Sequence, residues 1–438
     1  MDFTRPDNIN SQLSEGLIRS DYGDKLNTKN NIFTYLFILF LIIIISLLSW
    51  WYLTHNKSYV LGGDTGIALP ISNIIIPPVY TRSTATSTSS SSTTTVGLPE
   101  TEQIFYTLWP DAVTGYSYVG DSIIFQDKNT GHIYRVDSPD YKPYKIANTT
   151  INNLFISHFA NNGKTIIFQT LNQNTNTLST YIADMPNYNN AGGSIVPENL
   201  NNKAYLGDAV NSFDVSPDDT NIAYITTDKD YNSVINLLNV YNRKVKIINS
   251  YPLSSLHLDY YSSSTIYMYQ YPDETIVTQA YSININSGNI SPIKKSQALE
   301  IKGSGAGLIY SNSDGLYIDH KTKSKKDITD KSSFETRANK CAWSYSGAFI
   351  LCAVDNNYNS KKLNASMMGT YMPNDNIYMH GVSYPEERMI YDFQNYSNTK
   401  VNVYSMSISK NADTLTVMDR VKGLYLLKIN TILSAESN

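Results

Sequence analysis

The chain has 438 residues, with 34 Lys and Arg against 38 Asp and Glu for a net charge of −4, and 16% of its residues are charged. That near-neutral balance, with no basic cluster, excludes a dedicated nucleic-acid binder. Two cysteines exclude a disulfide-dense scaffold and any four-cysteine zinc or iron–sulfur centre, while 35 tyrosines suit long hydrogen-bonded β surfaces better than a charged helical protein.

In chain order, residues 1–30 read as a cytoplasmic tail. Residues 32–53 carry no charge, and as a helix they would span roughly 33 Å, enough to cross a bilayer. The segment is apolar all round, unlike a soluble helix. It is longer than a signal-peptide core and ends in Trp50, Trp51 and Tyr52, side chains suited to a membrane interface. Residues 31–54 are therefore expected to be an uncleaved signal anchor. Arg19, Lys25 and Lys29 precede it, and Lys57 is the one basic residue close behind it, which orients the amino end inward. Residues 55–99 follow as a tether: Pro70, Pro77 and Pro78, then a run over residues 83–95 made only of Ser, Thr and one Ala, from which no core can be built.

From about Leu108 onward the helical period is absent. What recurs is a short alternating strand, a polar turn and an apolar strand rich in Ile, Tyr and Phe. The clearest copy runs Phe213-Asp214-Val215-Ser216-Pro217-Asp218-Asp219 and on into Ile222-Ala223-Tyr224-Ile225. Aligning the apolar second strand gives markers at residues 123, 166, 222, 266, 308, 349 and 415, spaced by roughly forty residues with two longer gaps. Such a period, with four strands per unit, predicts an all-β chain with a single β-propeller over residues 100–438, of seven blades with six or eight open, behind one amino-terminal transmembrane helix. The long gaps place insertions at about residues 187–204, read as a loop between the second and third units, and at residues 356–387. The latter carries Met367, Met368, Tyr371, Met372, Tyr378, Met379 and Tyr384. It reads either as a partner surface or as a loop folded over a blade edge with those side chains buried.

The segments FDVSPDDTNIAYI, ISHFANNGKTIIFQ and SISKNADTLTVM resemble TolB-like propeller repeats, in which a strand leads through Ser-Pro-Asp-Gly into a second apolar strand; here Asp219 takes the glycine position. The whole plan, with CAWSYSGAFILCAV and TYMPNDNIYMHGVSYPEERMIYDF, is similar to membrane-anchored envelope propellers of candidate-phylum bacteria. The resemblance implies a protein-binding platform in the cell envelope and supplies no binding residue.

Residues arranged for chemistry are few. If Ser346-Gly347 forms a two-residue turn, Cys341 stands opposite Cys352 and a disulfide is feasible; a longer turn sets the two diagonally, and two buried free thiols remain the alternative. His55, His132, His158, His257, His320 and His380 are scattered, with no metal-ligand spacing. Gly303-Ser304-Gly305-Ala306-Gly307 lacks the Lys-Ser/Thr of a phosphate loop and reads as a close-packed or bulged strand. No Gly-x-Ser-x-Gly is present, so an added hydrolase domain is not expected. The sequence thus points to a single-span membrane protein with no cofactor, no metal and no catalytic residue. Its extracytoplasmic propeller would bind an envelope protein or wall polymer. The alternative is a glycan-directed hydrolase using funnel carboxylates, with Asp214 and Asp259 as candidates awaiting a structure to pair them.

Overall fold

The structure is a computed structural model that describes residues 103–187, 196–208, 210–321, 326–382 and 386–431. The expected tail, anchor and tether lie outside the described residues. No described helix is long and apolar enough to cross a membrane.

Among the described residues, twenty-eight strands form seven four-stranded antiparallel sheets, the blades of one propeller. Blade 1 is typical, with strands Val113–Val119, Ser122–Asp127, Ile133–Val136 and Pro143–Ala147 running from the axis outward. Each of the seven sequence markers falls on the second strand of a different blade. That strand is buried along most of its length: Ile166 and Phe168 pack against blade 1 while Ile167 packs against blade 3. Alternate side chains leave opposite faces of a strand, and here both faces are covered, so the apolar run is continuous. Polar residues then set the hairpins. Ser216, Ser344 and Ser409 end inner strands and accept backbone N–H groups of the next turn. Asp127, Asn172, Asp228, Asn312, Asp355 and Asp419 do the same after second strands.

Seven hydrophobic clusters occupy the seven blade interfaces, one each. The ring closes through the chain start: Phe105–Trp109 pairs antiparallel with Leu424–Lys428 as the outer strand of blade 7. Leu108, 1% exposed, joins Met418, Leu424 and Leu426 against Ile123 and Phe125 of blade 1. Inner strands of adjacent blades pack on one another around the axis. At Gly115 the approach is so close that a Cβ would lie 1.8 Å from the Ser157 carbonyl oxygen.

Four expectations need correction. The first insertion lies within blade 2, between its third and fourth strands, and residues 201–204 belong to that fourth strand, Asn201–Gly207. The second insertion is shorter than its gap implied: it covers residues 355–375, because Tyr378 and Met379 belong to the third strand of blade 6, Asn376–Gly381. Gly303 to Gly307 is a tight hairpin in which Ser304 pairs with Gly307; a Cβ on Gly303 would come 2.8 Å from the Tyr261 ring. The turn after Trp343 is longer than two residues, closed by Ser344 N–H to the Phe349 carbonyl. It lengthens by one residue on each side, so the register survives and Cys341 still faces Cys352, with Cα atoms 4.0 Å apart and the sulfurs joined.

Two outcomes test this arrangement. Leu108→Ala is expected to lower unfolding stability by about 3 kcal/mol, read from denaturant midpoints, and a loss too small to measure would mean that the closing strand is dispensable. Thiol labelling of denatured, unreduced chain should find no free thiol, and removing both cysteines should cost ~2–3 kcal/mol.

Candidate functional site

In an antiparallel blade, the turn between strands two and three and the connection to the next blade emerge on the same side, here termed the upper face. The insertion of blade 6 rises on it as a strap containing a short helix, Leu363–Met367. The strap is held from three neighbours. Asn364 N–H donates to Glu274 of blade 4 at 2.6 Å, the Ser360 hydroxyl to the Ser313 carbonyl of blade 5 at 3.0 Å, and the Arg420 guanidinium of blade 7 to the Ser366 and Met367 carbonyls at 2.7 Å each. A carboxylate thus meets the free N–H end of the helix and a guanidinium its free carbonyls, which satisfies groups a short helix leaves open. The far end is fixed by Asp375, which takes Lys340 Nζ at 2.6 Å and Val403 N–H at 2.7 Å in nearly full burial. Such a pair is costly to break, because either charge alone would be stranded.

Two readings of this segment were open, a partner surface or a loop folded over a blade edge with its side chains buried, and the side chains divide between buried and exposed. Leu363 and Ser366 are buried under the strap, and Tyr371 donates to Asp355 at 2.5 Å. Met368, 73% exposed, and Met372 point outward. On the same face other upper turns present Tyr231, Ile276, Tyr396 and Val421, and the upper ends of inner strands present Phe155 and Tyr404, all exposed. The lower turns offer Val196, Tyr241 and Tyr345. Exposed apolar side chains of this size scattered singly need no explanation, whereas their gathering on one face does.

Beneath the strap lies a polar lining. Glu300, at the head of the inner strand of blade 5, pairs with Arg337 at 2.6 Å and accepts Asn339 N–H. Burial pushes Tyr269 and Tyr358 upward from the ordinary tyrosine value, so these phenols stay protonated donors. Burial draws His257 down to about 4, with Glu300 opposing and Arg337 assisting.

Deeper along the axis the structure brings Asp214 and Asp259 together, which the sequence could not do. Each carboxylate reaches across to the next blade: Asp214 accepts Tyr260 N–H at 2.7 Å, and Asp259 accepts Gly303 N–H. His158 Nδ1 lies 3.5 Å from Asp214. Burial first, and then the charge of Asp214, push Asp259 up to about 7, against the opposing pull of Gly303 N–H and Lys302. The remaining histidines stay apart: His320 meets Asp330 within blade 5, His132 approaches Thr150, His380 meets Glu387, and His55 lies outside the described residues. Among the described residues, no group of three or more His, Cys, Asp or Glu could hold a metal ion. Glu274, Glu300, Arg337, Tyr404 and Arg420 carried no sequence signal, because each acts across a blade boundary.

Between the ordinary carboxylate value of about 4 and about 7, folded Asp259 holds a proton that the unfolded chain has lost, so stability falls as pH rises through that window. Asp259→Asn keeps an acceptor for Gly303 and is expected to flatten this slope in urea midpoints measured across the window. An unchanged slope would place the titration elsewhere.

No protein-family model and no curated protein matches the chain. Among solved structures it is similar to an oligogalacturonate lyase from Vibrio parahaemolyticus, at TM-score 0.51 and 8% identity over 75% of this chain and 94% of that one. It is also similar to an oligogalacturonate lyase in complex with manganese, at TM-score 0.49 and 9% identity over 75% and 94%. A third is the β-propeller domain of Cps50 (Swd1) from Myceliophteria thermophila, at TM-score 0.49 and 10% identity over 74% and 100%. At such identities the likeness is one of fold: the chain carries a seven-bladed, all-β propeller.

Proposed function

We propose that this chain is a membrane-tethered, extracytoplasmic propeller of the cell envelope that binds another protein, without catalysis, on its strap-bearing upper face. The observation that carries the reading is the gathering of Met368, Met372, Tyr231, Ile276, Tyr396 and Val421 on that face. Methionine and tyrosine supply large, adaptable contact area, and both are enriched where proteins meet. The clamps at Glu274 and Arg420 hold the strap in place before contact, which reduces the ordering cost of binding. The tethered placement rests on the sequence: the uncharged run at residues 32–53, the basic residues before it, the Ser/Thr segment behind it and the TolB-like repeats.

A second reading, a hydrolase with carboxylates in the funnel, is favoured by one observation. Asp259, raised to about 7 by burial and then by the charge of Asp214, falls in the range a general acid needs. Both carboxylates are also struts between blades, which explains their placement without chemistry. The lyases among the similar structures share the fold at 8–9% identity, and no residue role is carried over from them.

Photo-crosslinkers at Met368 and Met372 of the full chain in intact cells are expected to capture a discrete protein, while one at Tyr241 on the lower face captures none. Equal capture from both faces, or capture from neither, would overturn the upper-face platform, and glycan cleavage abolished by Asp259→Asn would put the hydrolase in its place.

A further inference from the structure

The strand that closes the ring is also the strand by which the described chain enters the propeller. Gln103 and Ile104 lead into Phe105–Trp109, which lies at the outer edge of blade 7 beside Leu424–Lys428. The turn from the second strand of this blade, Thr414–Asp419, into Leu424–Lys428 lies on the upper face, so Leu424–Lys428 runs downward and its antiparallel partner runs upward. Phe105 therefore stands at the lower end, opposite Leu427, and beside it Lys428 N–H donates to the Ile104 carbonyl at 2.9 Å. Trp109 stands at the upper end, opposite Leu424. The entry of the chain and the end of its last strand are thus neighbours on the lower side, and the strap is on the other side.

This direction decides how a pull on the chain is shared. The backbone bonds between antiparallel strands lie across the strand axis. A pull on Gln103 against a point held on the upper face runs along Phe105–Trp109 and loads all the bonds to Leu424–Lys428 together. A pull on Gln103 against Asn430 instead parts the two strands from their lower ends, and each bond in turn carries the whole load.

The upper end of the strand carries a stop. The register shifts between Thr107 and Trp109, and both Leu108 and Trp109 pack in the cluster between blades 7 and 1. The Trp109 ring lies 4.4 Å from the Tyr134 ring and 5.5 Å from the Phe125 ring, and its Nε1–H donates to Asp127 at 3.3 Å. Sliding the strand downward would drag the indole from between two blades, which strips its aromatic contacts and breaks its hydrogen bond. Peeling from below reaches Trp109 last.

We propose that the closing strand is a shear clasp with Trp109 as its stop, and that it keeps the ring shut when the tether and a protein held on the upper face are pulled apart. That use rests on the tethered-platform reading, whereas the clasp itself rests on the strand register and the packing of Trp109.

The test is single-molecule force spectroscopy of the full chain in lipid nanodiscs, with handles on introduced cysteines; the native cysteines are joined to each other and do not react. One form carries Gln103→Cys with Lys422→Cys in the upper turn of blade 7, the other Gln103→Cys with Asn430→Cys, all three positions being exposed. At equal loading rate the closing strand is expected to part at about twofold or more higher force in the first form than in the second. Trp109→Phe should lower the first force and leave the onset of the second unchanged. Equal forces in the two forms, a lower force in the first, or a first force indifferent to Trp109→Phe would overturn the clasp. The two pulling directions are compared with Trp109 in place, so they decide the question even where the Phe variant does not fold. Both forces are read without a partner, so failure of the clasp is distinguishable from failure of capture at Met368.

Discussion

Everything in this molecule depends on the two-sided burial of each blade. A four-stranded sheet with apolar residues on both faces has no stable existence alone, and each blade here supplies half of two hydrophobic clusters. Seven clusters at seven interfaces leave no blade with an open face, provided the ring is shut. Shutting it falls to Phe105–Trp109, the first described strand, paired to the last one, Leu424–Lys428. Tyr116 and Tyr118 of blade 1 add hydrogen bonds to Thr416 and Thr414 of blade 7. The shortage of charge in the composition follows from this packing, since strands covered on both sides have few positions where an ion can stay hydrated.

Near the axis the same geometry creates a second demand. Inner strands of neighbouring blades lie side by side without forming a common sheet, so some of their N–H groups lack a strand partner. Side chains from the preceding blade supply the acceptors: Ser212 for Leu258, Asp214 for Tyr260, Asp259 for Gly303, Glu300 for Asn339 and Asp375 for Val403. The axial carboxylates are thus explained by architecture before any chemistry is invoked. Their crowding nevertheless has an electrostatic consequence, visible in the rise of Asp259. The upper face differs, because the strap and its exposed methionines meet no need of the ring and are ordered by clamps that belong to other blades.

The sequence was informative where an interaction is local or repeated. The markers near Ile123, Ile166, Ile222 and Ile266 were legible because a fully buried second strand is an uninterrupted apolar run, repeated once per blade. The opposition of Cys341 and Cys352 was one of two registers the sequence left open, tied there to a two-residue turn; it holds because the longer turn is symmetric and preserves the hairpin register. The first insertion was misplaced because Asn201–Gly207 is an exposed outer strand with a polar sequence, which in a chain rich in Asn looks like more loop. The second was drawn too long because Tyr378 and Met379, strand residues, have the composition of the strap before them.

The sequence by itself determined the all-β class and the period, since burial on both faces of a short strand imposes a pattern that survives without knowledge of neighbours; it favoured seven blades, and the closing strand decided the number. Only the tertiary structure decided which residues form sites. The partners of Asp214, Glu300, Arg420 and His380 lie on other strands or in other blades and are set by the angle between sheets. That angle comes from closing the ring, and no spacing along the chain records it.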